Sequence, residues 1–223
     1  MGDHMHSKGE IMFSYRFMNM LMEGNLNGEK KIGTTELSNL NYSSAGSTML
    51  MKMHMLGMMY APTNKITLMV MSNYMINDME MEMFNMESHS GHNHSSTNMM
   101  QHSSSGFGDA SIVSLMQFYN NYNIKSHVTC GFSFPFGNIN KKSNHEIHHM
   151  DEDSDHMHKK SNLPYGMQLG SGSIDPIFGI TLNYYSGNIV YGTQVIGKHR
   201  ITKNENKYKL GNENHISAWL GYN

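Results

Sequence analysis

The chain has 223 residues, enough for one domain with its own core, and its single Cys130 excludes an internal disulfide framework or a cysteine-built zinc site. Only 38% of residues are hydrophobic and no run reaches the roughly 18 apolar residues of a membrane helix, so a helical membrane protein is excluded. Net charge is −2 with no Lys/Arg block, which leaves no footprint for a nucleic-acid partner, while 25 Met and 15 His are excesses that any function must accommodate.

The opening MGDHMHSKGE lacks a basic start followed by an apolar stretch, so no secretory signal is read in it. From Ile11 to Met22 the pattern has period two: Ile11, Phe13, Tyr15, Phe17 and Leu21 share one parity, and Met12, Ser14, Arg16, Met18, Met20 and Met22 the other. Such alternation predicts a strand with one apolar-aromatic face. Ile66 to Ile76 and Ile124 to Phe136 behave alike, and Met49 to Tyr60, Asp109 to Tyr119, Ile174 to Tyr185, Asn188 to Ile201 and Asn214 to Tyr222 complete the predicted strands. Each is close to the roughly 9–11 residues that cross a bilayer when tilted. A helix is the weaker reading, because Met79-Glu-Met-Glu-Met83 alternates strictly.

The connections alternate in length. Residues 23–48, 77–108 and 137–173 are long and polar and 202–213 is intermediate, whereas 61–65, 120–123 and 186–187 are tight and rich in turn formers. Short turns at one end and long loops at the other belong to outer-membrane barrels, so the predicted fold is an all-β, antiparallel up-and-down barrel of that type in one domain, 1–223. Its competitor is a soluble barrel with the apolar face inward.

With the apolar parity toward lipid, the other parity lines a lumen, and the lumen-lining candidates are Arg16, Lys52, His54, Lys125, His127, Gln194, Lys198 and Arg200. Met12, Met18, Met20, Met69, Met71 and Met75 lie between them. Met49 to Tyr60 is ambiguous; its odd positions are assigned to lipid because Lys52 and His54 are costly there. Phe13, Tyr15, Phe17, Phe132, Phe134, Phe178, Ile180 and Leu182 are expected outside, and Arg16, Thr67, Asn73, Lys125, Thr181 and Gln194 inside. Trp219, Tyr184, Tyr185 and Tyr222 are expected in an interfacial aromatic girdle.

Met1 to Met18, Met53 to Pro62 and Leu163 to Tyr185 resemble segments of the bacterial outer-membrane barrel family labelled "MetA-pathway of phenol degradation", whose members are described as transporters. The ordered Pro164, Met167, Gln168, Leu169, Gly170, Ser171 and Gly172 carry the likeness best. The resemblance implies an envelope β-barrel in the bacterial outer membrane, with outer-membrane lipid and a small-molecule solute as partners, and it assigns no substrate. Family members have a signal peptide before the Asp3-His-Met-His6 segment and further strands after the counterpart of Ser217 to Tyr222. A fragment is therefore expected, with β-strands at its two ends left as unpaired edges of an open sheet.

The histidines cluster in two His-rich loops, 86–106 and 138–162. His89, His92 and His94 form one group, and His145, His148, His149, His156 and His158 the other, while His4 and His6 flank Met5. Imidazole with carboxylates suits Zn(II), Cu(II) or Ni(II), and imidazole with thioether suits Cu(I). Metal capture of copper or zinc by these loops is therefore the alternative function, against a purely compositional surface loop. For the strand methionines, packing or lipid contact is the plain reading and soft-metal ligation the sharper one. No nucleophile elbow, P-loop or H-E-x-x-H is present, so no enzyme and no required cofactor is expected. The leading expectation is a non-enzymatic channel or transporter for small solutes, its lumen biased by basic side chains toward anionic or polar aromatic molecules.

Overall fold

The computed structural model describes residues 2–42, 44–84, 99–147 and 159–222. Its elements in chain order are β1 (Ile11–Glu23), β2 (Asn25–Asn27), β3 (Lys30–Ile32), α1 (Thr34–Asn39), β4 (Ser44–Thr63), β5 (Ile66–Met83), β6 (Met99–Phe107) and β7 (Ala110–Asn120). Then follow β8 (Ile124–Phe134), β9 (Lys142–Ile147), β10 (Lys159–Asn162), a 3-10 turn at Tyr165–Met167, β11 (Asp175–Ser186), β12 (Ile189–Lys198) and β13 (Glu213–Tyr222). The main sheet is an antiparallel meander in the order β1-β4-β5-β7-β8-β11-β12-β13, curled into a half-barrel. Among the described residues β1 and β13 do not pair with each other, so the sheet is open, as expected.

The sheet's two faces are the reverse of a soluble barrel's. Phe13 is 76% exposed and Ile216 79%, and Tyr15, Phe17, Phe132, Phe178, Ile180 and Leu182 stand out with them on the convex side. On the concave side Thr67, Asn77 and Thr181 are fully buried and Gln194 nearly so. Phe134 is only half-buried, against Phe136, and Arg16 and Lys125 keep inner positions while remaining exposed. Trp219 and Tyr185 depart from the expected girdle. Trp219 pairs with Gly192 and Tyr185 lines the interior, because each occupies the inner parity of its strand.

The largest correction is β4. Its odd positions face inward: Met49 and Met59 are buried, and Leu56, Met58 and Tyr60 are exposed. Residues directly opposite in an antiparallel pair share a face, and Phe17 pairs with His54 and Asn19 with Lys52. Lys52 and His54 therefore stand on the outer face, contrary to their expected lumen-lining position. His54 is tolerated there because Tyr15 Oη lies 2.8 Å from its Nδ1 and the Phe17 ring sits 5.0 Å away.

Residues 99–107, expected within a long connection and a His-rich loop, form a strand. β6 pairs with the upper half of β5 (Tyr74 to Glu82) and β7 with its lower half (Ile66 to Met71), so the two are one long strand broken at Gly108-Asp109. Part of the connection 137–173 likewise forms the β9–β10 hairpin.

The concavity is filled from both ends. Residues 2–10 cross it at the short-turn end as a strap, and residues 135–147 and 159–174 fold into it at the long-loop end. Between them Met59, Met69, Val113, Leu115 and Ile177 form an apolar belt, with Met5 of the strap packed on it.

Candidate functional site

The inner row Gln117, His127, Thr181 and Gln194 runs level across β7, β8, β11 and β12 at the short-turn end. Alternation puts these side chains on one face, and the strap supplies what they need. The Gly2 carbonyl accepts from His127 Nε2 at 2.9 Å and from Gln194 Nε2 at 2.8 Å. Gln194 Nε2 also donates to Thr181 Oγ1 at 2.9 Å, and Asn183 Nδ2 donates to the Asp3 carbonyl at 2.8 Å. Further along, His6 N donates to Thr67 Oγ1 and Gly9 N to the Ala61 carbonyl. Gly2 itself is buried at φ +76°, a left-handed backbone in which a side chain would be strained although Leu115 and Met69 stand at ordinary contact distance.

Beside the strap lies a cavity of about 220 Å³, walled by His4, Met5, His6, Lys125, His127 and Tyr185 among others. Lys125 Nζ lies 4.9 Å from the Tyr185 ring centroid, a cation–π placement that holds a positive charge at the cavity wall. His4 donates to Asp3 across 3.1 Å, and this bond holds the Asp3 carboxyl down at about 2 and raises the His4 imidazole above its usual value. The cavity thus offers one fixed cation, imidazoles and amide groups, suited to holding a small polar molecule by hydrogen bonds.

Of the lumen-lining candidates, Lys125 and His127 meet at this cavity, with Gln194 gripping the strap behind it. Arg16 and Lys198 take inner positions on β1 and β12, opposite Met55 and Ile177. Arg200 lies beyond β12 and is not a free cation. Its side chain is buried and its guanidinium donates to both the buried Asp175 and Glu213.

Of the metal candidates, His4 and His6 lie in the strap with ring centroids 4.8 Å apart. His145 lies on β9, and His89, His92, His94, His148, His149, His156 and His158 fall outside the described residues. Among the described residues no group of three or more His, Cys, Asp or Glu is placed to hold a metal.

The long-loop end holds a network that sequence reasoning did not single out as a site. The break at Gly108 turns Asp109 inward, where it accepts from Ser171 N at 2.8 Å, Ser171 Oγ at 2.7 Å and Gly137 N at 3.1 Å. Ser173 Oγ donates to Asp175 at 2.8 Å, and Ser104 Oγ to the Met167 carbonyl at 2.7 Å. The stretch that supplies it, Gly170-Ser-Gly-Ser-Ile-Asp175, begins within the segment that carries the family likeness, and Gly170 lets its backbone lie against that of Gly137.

Compared with protein-family models the chain matches none, and no curated protein matches it either.

Proposed function

We propose that this chain is the membrane-embedded sheet of an outer-membrane-type β-barrel whose interior passes small polar solutes, with the strap narrowing its short-turn end. The observation that carries the reading is the inverted sheet: aromatic and branched side chains exposed on the convex face, Thr, Asn, Gln and His buried on the concave one. Fully burying a Phe, Leu or Ile side chain is worth roughly 1.5–3 kcal/mol, so a face carrying this many in water is costly. A face of that size on a soluble monomer marks a surface made to be covered, and lipid covers it evenly. The resemblance to the phenol-degradation barrel family points the same way. Lys52, one rung from Asp78 on the outer face of β5, and His54, one rung further on, fit this picture at the upper margin of the apolar band, where amphipathic side chains reach the headgroups.

With Arg200 neutralised, the cationic bias of the interior rests, among the described lumen-lining candidates, on Arg16, Lys125 and Lys198, and it favours anionic or polar aromatic solutes. The reading is non-enzymatic: the cation, imidazoles and amides at the cavity are taken as groups that bind a passing solute.

The test is reconstitution of the full chain from detergent into liposomes and planar bilayers. Partition into liposomes with protease protection of the strands, together with conductance that favours anions, is expected. A chain that stays monodisperse without detergent and ignores vesicles would overturn the membrane reading, and insertion without conductance or solute flux would overturn the transport reading.

A further inference from the structure

The reversal of β4 brings three methionine-bearing strand faces together. In β1, β4 and β5 the inward positions pair as Met12–Met59–Met69, Met18–Met53–Met75 and Met22–Met49–Met79, with Met20 beside Met51. These are rungs of one ladder. On the same strands the outward apolar positions are Ile, Phe, Tyr, Leu and Val, and Met58 is the one methionine among them. A chain that used methionine merely as a common apolar residue would place it on both faces. Here the two chemistries are sorted, branched and aromatic carbon outward and thioether inward.

Side chains directly opposite in a sheet have Cβ atoms about 4.5–5.5 Å apart, and methionine has three rotatable bonds with which to turn its sulfur toward a shared point. Three adjacent thioethers make a soft, uncharged, proton-free donor set, which selects Cu(I) over Zn(II), Mg(II) or Ca(II). The lowest rung is the most enclosed. Met59 and Met69 are almost fully buried, Met12 and Met71 pack on them, and the strap lays Met5 over the group. Beside Met5, His6 Nε2 is buried with no hydrogen-bond partner. Its backbone N–H bonds Thr67, two residues from Met69 on the same face of β5. An imidazole nitrogen left without a proton acceptor or donor, next to clustered thioethers, is a further ligand for the same ion. The geometry points to a Cu(I) site at Met12, Met59 and Met69, completed by Met5 or His6. The Met18–Met53–Met75 rung, about 20 Å further along the strands, forms a second site. Arg16, opposite Met55 between the two rungs, repels a cation and separates them.

This inference goes beyond the proposed transport role and does not depend on it, since it concerns binding to the folded sheet and is read in detergent without any membrane. The full chain is titrated anaerobically with Cu(I) against a chromophoric Cu(I) chelator, and with Ag(I) as the redox-inert probe, at pH 7 and pH 5. Uptake at pH 5 that keeps at least a tenth of the pH 7 affinity is expected, because thioethers carry no proton to compete. M12L/M59L/M69L, which preserves volume, is expected to lose at least tenfold in Cu(I) affinity at one site, and M18L/M53L/M75L at the other. Copper-edge X-ray absorption of the unaltered chain is expected to show sulfur ligands, which keeps the test decisive even where a variant fails to fold. The absence of Cu(I) uptake, uptake abolished at pH 5, a copper shell of nitrogen alone, or unchanged affinity in both folded leucine variants would each overturn the site. The last three would assign any bound copper to the histidines.

Discussion

The two ends of the half-barrel interior are closed by different chemistry. At the short-turn end a strap of residues 2–10 is held by neutral side chains reaching backbone carbonyls, Gln194 and His127 to Gly2 and Asn183 to Asp3, with a cavity of about 220 Å³ beside it. At the long-loop end the plug is held by carboxylates. Asp109 gathers Ser171 and Gly137, and Asp175 pairs with Arg200, which also pairs with Glu213. A neutral hydrogen bond contributes about 0.5–1.5 kcal/mol net, and one to a charged group about 1.5–3 kcal/mol. The difference teaches that the loop end is built as a fixed wall and the turn end as a fastening that modest energy releases.

The strongest way to break this contrast is Arg200→Met. Removing one partner of a buried ion pair costs about 3–5 kcal/mol, because Asp175 is left charged and without exposure. The expected result is loss of that much stability in denaturant unfolding, with loosened protection in both β11 and β13, which the guanidinium joins through Asp175 and Glu213. A loss below 1 kcal/mol would mean that the wall does not depend on this pair.

Much of the fold could be read before any coordinates, and the exceptions have physical causes. In β8 and β11 apolar residues alternate with mostly polar or small ones, and in β1 and β5 branched or aromatic residues alternate with methionine and polar ones, so their faces follow from parity. β4 does not, because Met49 to Met59 is apolar along its odd positions and Leu50 to Tyr60 is apolar along its even ones apart from Lys52 and His54. Lys52 and His54 point that parity inward when taken alone, and nothing local reveals that Tyr15 and Phe17 on β1 give His54 its place on the outer face. β6 hid within Met99-Met-Gln-His-Ser-Ser-Ser-Gly-Phe107, whose small polar residues carry no hydrophobic period. Its partner β5 supplies the reason for its pairing. In the site, Lys125, His127 and Gln194 were legible as inner-parity polar residues. Their binding to Gly2 and the pairing of Arg200 were not, since both contacts join residues far apart in the chain and depend on how the loops fold back.

The wall's packing is sharpened by Gly137→Ala. A Cβ at Gly137 would meet the Leu169 carbonyl oxygen at 2.4 Å and Gly170 Cα at 2.6 Å, all backbone. Backbone cannot rotate away, so about 1–3 kcal/mol of overpacking is expected, read as a lowered denaturation midpoint. Gly166→Ala, with nothing within 4 Å of its Cβ, is the control and should be near neutral.

Gln194→Ala tests the fastening. It removes the amide that bonds both Gly2 and Thr181, and the expected cost is about 1–3 kcal/mol. The loss should be local: faster hydrogen exchange across residues 2–10 with β11 and β12 little changed, and raised conductance in bilayers if the strap narrows the passage. Global destabilisation with unchanged exchange in the strap would show that Gln194 serves the sheet and not the strap.

The smallest effect expected is electrostatic, at the Asp3–His4 bond within the strap. Bonding to His4 lowers the Asp3 pKa from 3.8 to about 2, so its contribution is full above 3.8 and is lost as pH falls through about 2. Bonding to Asp3 raises the His4 pKa above 6.5, so its contribution is full below 6.5 and is lost as pH rises through the raised value. Both charges are present together between pH 3.8 and 6.5, and the strap should be tightest in that window. Both groups are about half exposed, so solvent screens the pair and the gain is small. The measurement is the difference in strap hydrogen exchange between the unaltered chain and Asp3→Asn, corrected for intrinsic rate, at pH 5.5 and pH 8.5. A difference at pH 5.5 that shrinks at pH 8.5 is expected. No difference at either pH would mean that Asp3 acts only through its backbone carbonyl to Asn183, which Asp3→Asn keeps and whose bond carries no charge, and that the strap has no electrostatic component for pH to tune.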